Sequence, residues 1–296
     1  MNPIQHHMDI APFLTIPLKN PQKIELAYLQ VKPKGETQKE SALLFLHGIL
    51  GDARTWLPYL DRFPEYETIA LTQSGFGENA DSAELFDTKQ HAKELIAFCK
   101  ALNYQENLPT RRFIIVAWSY ACHVSLLAAK LAPELFTSLT LYELIVPSYG
   151  ISETEQIAFT KDITQMMSPI IKAYRRGKPE LAIDHFISAC KNSEFTLAEQ
   201  KSHIQKIKQD NQTSLSKLLT QKEPETISAQ MLLEIHRQVP ITIFCGKNSR
   251  AIFQISSKVG MKSIGQSQEM IIDADHLLPE EDPEKLIVLL QGTLAK

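Results

Sequence analysis

Apolar residues fall along the chain in two rhythms. Short unbroken runs recur at Ala42-Leu43-Leu44-Phe45-Leu46, Thr68-Ile69-Ala70-Leu71, Phe113-Ile114-Ile115-Val116, Leu139-Thr140-Leu141-Tyr142-Glu143-Leu144 and Ile241-Thr242-Ile243-Phe244-Cys245. A run without polar alternation suits a strand covered on both faces, so these predict a mostly parallel central sheet. Ile24–Val31 and Gln268–Ile272 read as an early and a last strand. Between the runs the apolar positions take helical spacing: Ala92, Leu95, Ile96, Phe98 and Cys99 within 87–102, the residues after Ser119, then 251–259 and 283–294. A shorter helical pattern covers Trp56–Phe63. The polar stretch 32–41, with Pro33 and Gly35, predicts the turn of a hairpin at the sheet edge. Strands alternating with helices imply an α/β fold with a sheet wrapped on both faces.

The rhythm changes from Ser152 to about Val239. Glu155–Arg176, Pro179–Cys190, Leu197–Leu219 and Ile227–Arg237 all read as helices, with no strand among them and many Lys, Gln and Glu. The predicted organisation is therefore a core begun by 1–150, a helical insertion at 151–239, and a core completed by 240–296. The charged run Lys201 to Asp210 reads as a solvated helix face. Met166, Met167, Ile170, Ile171, Phe186 and Met231 are expected to pack the insertion or to face a pocket beneath it.

Composition narrows the partners. A chain of 296 residues with a formal net charge of -3 and both signs interspersed offers no basic surface for nucleic acid. A small-molecule substrate fits better. The N-terminus lacks a basic segment followed by a long apolar one, and no apolar run reaches the length of a membrane span, so no membrane partner and a cytoplasmic location are expected. Cys99, Cys122, Cys190 and Cys245 are far apart and lie in apolar contexts, which predicts reduced core residues rather than a disulfide framework or a metal site. His6 and His7 read as a solvated pair.

The candidate chemistry centres on Ala117-Trp118-Ser119-Tyr120-Ala121, between an apolar strand and a helical pattern. Small residues two positions either side of a serine permit a turn tight enough to expose its hydroxyl above the sheet. A serine is a weak nucleophile on its own and needs a base within hydrogen-bond reach. His276, in Asp273-Ala274-Asp275-His276 after the last strand, is the candidate.

Four motifs then occur in the order of one fold: LLFLHGILG at 43–51, IALTQSGFGEN at 69–79, FIIVAWSYA at 113–121 and IIDADHLLPEEDPEKL at 271–286. Together they resemble the α/β-hydrolase superfamily, with 150–239 similar to that family's helical cap. The resemblance implies a cofactor-independent serine hydrolase acting on carboxylic esters through an acyl-enzyme. Ser119 would be the nucleophile and His276 the base, and the backbone N–H groups of Ile49 and Tyr120 would form the oxyanion hole. Gly48 and Trp118 would line the pocket, with His47 beside them and bracing the oxyanion loop. The Gly75 and Gly77 loop lacks a phosphate-loop ending, so no nucleotide cofactor is implied. Many family members carry an aspartate three residues after the glycine that ends the penultimate strand, where this chain has Ser249. Glu143, at the end of the preceding strand and ahead of a proline-containing loop, resembles the alternative placement and is the favoured acid. Asp273, Asp275 and the amide of Asn248 are competitors for holding the His276 ring. The same triad would also serve acyl transfer, thioester cleavage or carbon–carbon bond hydrolysis. The absent aspartate also leaves open a non-catalytic small-ligand-binding member.

Overall fold

The computed structural model describes residues 13–18, 25–34, 38–81, 86–146, 148–222 and 224–295. His6, His7 and the proline of the loop after Glu143 lie outside them. Among the described residues eight strands form one sheet in the order β1-β2-β4-β3-β5-β6-β7-β8. They are β1 (Leu14–Pro17), β2 (Glu25–Val31), β3 (Ala42–Leu46), β4 (Thr68–Leu71), β5 (Phe113–Trp118), β6 (Phe136–Tyr142), β7 (Ile241–Gly246) and β8 (Ile271–Ile272). From β4 to β8 every neighbouring pair is parallel, while β1 and β2 add an antiparallel edge. All five residues of β3 and all six of β5 are buried, the reason neither run alternates.

Helices α1 (Thr88–Gln105) and α2 (Tyr120–Leu131) pack together beside the sheet. Asp87 caps α1 by accepting the Gln90 N–H at 2.7 Å. Among the described residues five α-helices separate β6 from β7: α3 (Glu153–Arg175), α4 (Pro179–Lys191), α5 (Ser202–Asp210), α6 (Gln212–Thr220) and α7 (Ala229–Gln238). A reciprocal Ser152–Glu155 capping box starts α3. The chain ends with α8 (Ala251–Ser263), the single turn α9 (Leu278–Glu281) and α10 (Pro283–Leu294). Among the described residues no helix is long and apolar enough to cross a membrane. The four cysteines are free and buried.

Several elements differ from the pattern reading. The stretch 32–41 does not close a hairpin, because β2 pairs with β4, with Tyr28 opposite Leu71, and its hairpin partner is β1. β3 has both edges taken by the parallel strands β4 and β5, so the chain leaving β2 must pass over β4 to reach it. The helix expected at Trp56–Phe63 is a 3-10 turn at Ala53–Tyr59, with Pro58 inside it. The single helix expected over Leu197–Leu219 is a 3-10 turn followed by α5 and α6, broken at Asn211. The Asn211 side chain ties the break to the core: its amide donates to Asp52 Oδ2 at 2.5 Å and its oxygen accepts the Gly77 N–H at 2.6 Å. Only Ile271–Ile272 of the last predicted strand pairs in the sheet.

Candidate active site

The carboxyl ends of parallel strands are where an open α/β sheet leaves a crevice. Ser119 follows β5 directly, with φ 58° and ψ -118°. Such a backbone costs a non-glycine residue about 1–3 kcal/mol and persists only where neighbours enforce it. Here the Ser119 N–H donates to Tyr142 O at 3.0 Å and the Ser119 carbonyl accepts the Cys122 N–H at 3.0 Å, fixing both sides of the turn. Ala117 and Ala121 are fully buried, so the tight packing at those positions leaves room for little beyond a methyl group.

Glu143, the first residue past β6, also has a positive φ, 60°. The Glu143 N–H donates to Phe244 O at 3.0 Å and that of Leu144 to Ser257 Oγ at 3.0 Å. The turn directs the carboxylate away from the strand, into a fully buried position. Its Oε1 accepts the Gly246 N–H at 2.7 Å and its Oε2 lies 2.5 Å from His276 Nδ1. His276 Nε2 lies 2.9 Å from Ser119 Oγ. A carboxylate only accepts, so Nδ1 carries the ring hydrogen and the serine hydroxyl donates to Nε2. The structure thus brings Ser119, His276 and Glu143 into one hydrogen-bonded line.

The imidazole is held by more than these two bonds. Phe253 of α8 stacks on it with centroids 3.7 Å apart and planes 6° apart. The loop that carries the ring is fixed through its carbonyls: Trp118 Nε1 donates to His276 O at 2.9 Å and Tyr142 Oη to Asp275 O at 2.6 Å. Nothing in the sequence pattern marked Phe253 or the Gly246 N–H. Phe253 arrives because α8 begins just beyond β7, and Gly246 because β6 and β7 are neighbours.

The other candidate acids are engaged elsewhere. Asp275 accepts the Leu277 N–H at 2.9 Å and pairs with Lys191 at 2.9 Å. Asp273 pairs with Lys247 at 3.1 Å and accepts from the Asn248 amide at 2.9 Å, which also accounts for Asn248. Ser249 is buried, and its hydroxyl makes no hydrogen bond among the described residues.

Gly48 and Ile49 lie against the serine. A Cβ on Gly48 would meet Ser119 Cβ at 3.2 Å, so the loop approaches as closely as glycine permits. The Tyr120 N–H opens α2, ahead of that helix's own hydrogen-bond ladder. His47, expected beside the pocket, lies behind the loop and lines neither cavity at Ser119. It donates from Nδ1 to Gly48 O at 2.9 Å, while Nε2 accepts the Gln73 N–H at 3.1 Å. Burial lowers its pKa to about 4, which keeps the ring neutral and the loop braced.

A cavity of about 410 Å³ opens at Ser119 and His276 beneath the helices that follow β6. Phe159, Ile163, Met166, Met167, Ile171 and Phe186 line much of it. Of the six apolar positions expected to pack the insertion or face a pocket, Met166, Met167, Ile171 and Phe186 face this one. Gly48 and Trp118 line a second, much smaller space that also borders Ser119 and His276. Among the described residues no cluster of three or more His, Cys, Asp or Glu could hold a metal ion.

Residues 43–288 match the sequence model of the alpha/beta hydrolase family. No curated protein matches the chain. Among solved structures, a thermophilic esterase from Thermogutta terrifontis is similar at 18% identity, covering 96% of this chain and 98% of that one, with a TM-score of 0.68. MenH from S. aureus is similar at 21% identity over 90% of this chain and 97% of its own, with a TM-score of 0.67. CarC, a serine hydrolase involved in carbazole degradation, is similar at 17% identity over 96% and 99%, with a TM-score of 0.66. At these identities the likeness is one of fold.

Proposed function

Because the chain belongs to the alpha/beta hydrolase family, we propose that it is a cofactor-independent serine hydrolase that cleaves carboxylic esters of small molecules through an acyl-enzyme. The observation that carries this reading is the line Ser119 Oγ, His276 Nε2, His276 Nδ1, Glu143 Oε2, with contacts of 2.9 Å and 2.5 Å. Ser119 Oγ attacks the ester carbonyl carbon as its proton passes to His276 Nε2. The imidazolium so formed is paired with the buried Glu143 carboxylate, and the carbonyl oxygen, now an oxyanion, is met by the N–H groups of Ile49 and Tyr120. Collapse of the tetrahedral adduct breaks the bond to the alcohol oxygen, which takes the proton from Nε2 and leaves as the alcohol. Water then attacks the acyl-enzyme with His276 as base, releasing the carboxylic acid and restoring the serine.

The Glu143 carboxylate at 2.5 Å from His276 Nδ1 supports catalysis over a binding-only reading, which rested on the missing aspartate at position 249. The apolar lining of the 410 Å³ cavity favours an uncharged, apolar substrate body. Four free, buried cysteines accord with a reducing compartment, and we place the activity in the cytoplasm.

The test pairs labelling with turnover. Phenylmethanesulfonyl fluoride is expected to add one phenylmethanesulfonyl group at Ser119, read by peptide mass spectrometry, and to abolish hydrolysis of nitrophenyl acetate. Ser119→Ala is expected to lose both. Full turnover by that variant, or modification at another residue only, would overturn the reading.

A further inference from the structure

An ester presents two groups to a serine, one on the carbonyl carbon and one on the leaving oxygen, and the two spaces at Ser119 are very unequal. The large one holds about 410 Å³, while the other, reached past Gly48 and Trp118, holds about 10 Å³. Ile49, Ser119, Phe186 and His276 border both, so one bound ester would reach into each. A space of about 10–15 Å³ on this measure admits one water-sized sphere, close to a methyl group.

The walls of the small space have little freedom to retreat. Ile187, Cys190, Lys208 and Leu277 are each at most 2% exposed. Lys208, which comes from α5, is fixed by a buried ion pair to Glu280 Oε1 at 2.7 Å. Trp118 is tied by its indole N–H to His276 O at 2.9 Å, so moving it would move the loop that holds the base. The large cavity is different, since it extends past Leu218, Leu219 and Lys222, of which Lys222 is exposed.

We propose that the site selects esters in which one of the two groups is methyl-sized and the other is a bulky apolar body: acetates of large apolar alcohols, or methyl esters of large apolar acids. Ile187 and Cys190 set the limit on the small side. The inference rests on the serine hydrolase reading above, and its two forms share one chemistry, separated by the substrate series. One methylene more than a pocket accepts lowers kcat/KM by about 10- to 200-fold.

The experiment measures kcat/KM of the purified full chain on 2-naphthyl acetate, propionate and butyrate, on methyl and butyl decanoate, and on 2-naphthyl decanoate. Either the naphthyl series or the decanoate series is expected to fall at least about tenfold per added carbon, with 2-naphthyl decanoate slowest of the naphthyl esters. A fall along the naphthyl series puts the acyl group in the small space, and a fall from methyl to butyl decanoate puts the alcohol there. Cys190→Ala and, independently, Ile187→Ala should each raise the ratio of the longest to the methyl-sized member of the selective series, butyrate to acetate or butyl to methyl ester, about tenfold. Flat rates along both series, with Ser119 still modified by phenylmethanesulfonyl fluoride, overturn the selectivity while leaving the serine hydrolase intact. Loss of modification together with loss of all turnover overturns both.

Discussion

Replacing Glu143 by glutamine isolates what its charge does. The side chain keeps its size, its buried position and an oxygen able to accept the Gly246 N–H, now at 2.7 Å from Oε1. The change falls on the other oxygen, 2.5 Å from His276 Nδ1. In the proposed attack the ring becomes positive, and charge centres about 4 Å apart attract by about 4 kcal/mol at an effective dielectric near 20. At 1.36 kcal/mol per decade this alone is about a thousandfold in kcat. A second loss adds to it. The amide NH2 donates toward Nδ1, favouring the tautomer with hydrogen on Nε2, which cannot accept the serine proton, and a triad acid made neutral costs about 10⁴-fold in all. Glu143→Gln is therefore expected to lower kcat on nitrophenyl acetate by about 10³- to 10⁴-fold, with KM changed less than about threefold and Tm by only a few degrees. Stopped-flow and steady-state kinetics, with thermal unfolding as the control, make the measurement. A loss below tenfold in a folded variant refutes the assignment, as would an equal loss in Asp275→Asn, whose carboxylate is occupied by Lys191 and the Leu277 N–H.

Gly246→Ala should cost about a hundredfold in kcat, because the added Cβ would sit 2.5 Å from Ala274 O and must displace the loop bearing His276, a shift of the kind that misaligns a base; unchanged kinetics would refute it. Lys208→Met should lower unfolding free energy in urea by about 3–5 kcal/mol, since it strands the buried Glu280 carboxylate, whereas the double change Lys208→Met with Glu280→Leu should recover most of that loss. A single variant as stable as the parent would refute this. Acid should destabilise the fold between pH 6.5 and 4: burial lowers His47, His91 and His123 each to about 4 from 6.5, so the unfolded chain binds more protons in that window and stability falls as pH falls. Each contributes about 2 kcal/mol of loss by pH 5 and about 3 below pH 4, read by urea titration at stepped pH. Insensitivity of the urea midpoint over pH 7 to 5 would refute it.

The acid prediction has a geometric basis that the sequence could not supply. Each of the three rings receives a hydrogen bond at one nitrogen and gives one from the other: His91 from the Tyr120 hydroxyl at 2.9 Å and to Ser74 O at 3.0 Å, His123 from the Tyr149 hydroxyl at 2.8 Å and to Glu225 O at 2.7 Å. A second proton on His47 would face the Gln73 N–H, and one on His91 or His123 would oblige the tyrosine hydroxyl to turn and accept instead of donating. By contrast, Ser119 and His276 were legible because each follows an apolar run, where a period-two or unbroken pattern ends visibly. The strand β1 was not, since Leu14–Pro17 is only four residues of which one is buried, too short to carry a pattern. The pairing of β2 with β4 and the break at Asn211 depend on partners far along the chain, Leu71 for Tyr28 and Asp52 for the asparagine amide. The stacking of Phe253 and the closed small space beside Ser119 are likewise products of packing between segments that no local pattern relates.

The sheet accounts for a carboxylate after β6 reaching the His276 ring. The two strands are adjacent and parallel, with Tyr142 opposite Phe244, so their carboxyl ends open on the same small volume. The ring itself is positioned independently of its acid, by Phe253 against one face and by the bonds from Trp118 and Tyr142 to the carbonyls of His276 and Asp275. What the strand end must provide is a turn that points a carboxylate at Nδ1 and a donor that fixes its second oxygen. Glu143 has the first in its φ of 60° and the second in the Gly246 N–H, a group that belongs to β7 itself. The glutamate side chain brings Oε2 to 2.5 Å from Nδ1, and an aspartate at the same position would be one methylene shorter. Glu143→Asp should thus retract the carboxylate from Nδ1 and lower kcat nearly as far as Glu143→Gln does. An aspartate variant with parental kcat would refute this account of reach.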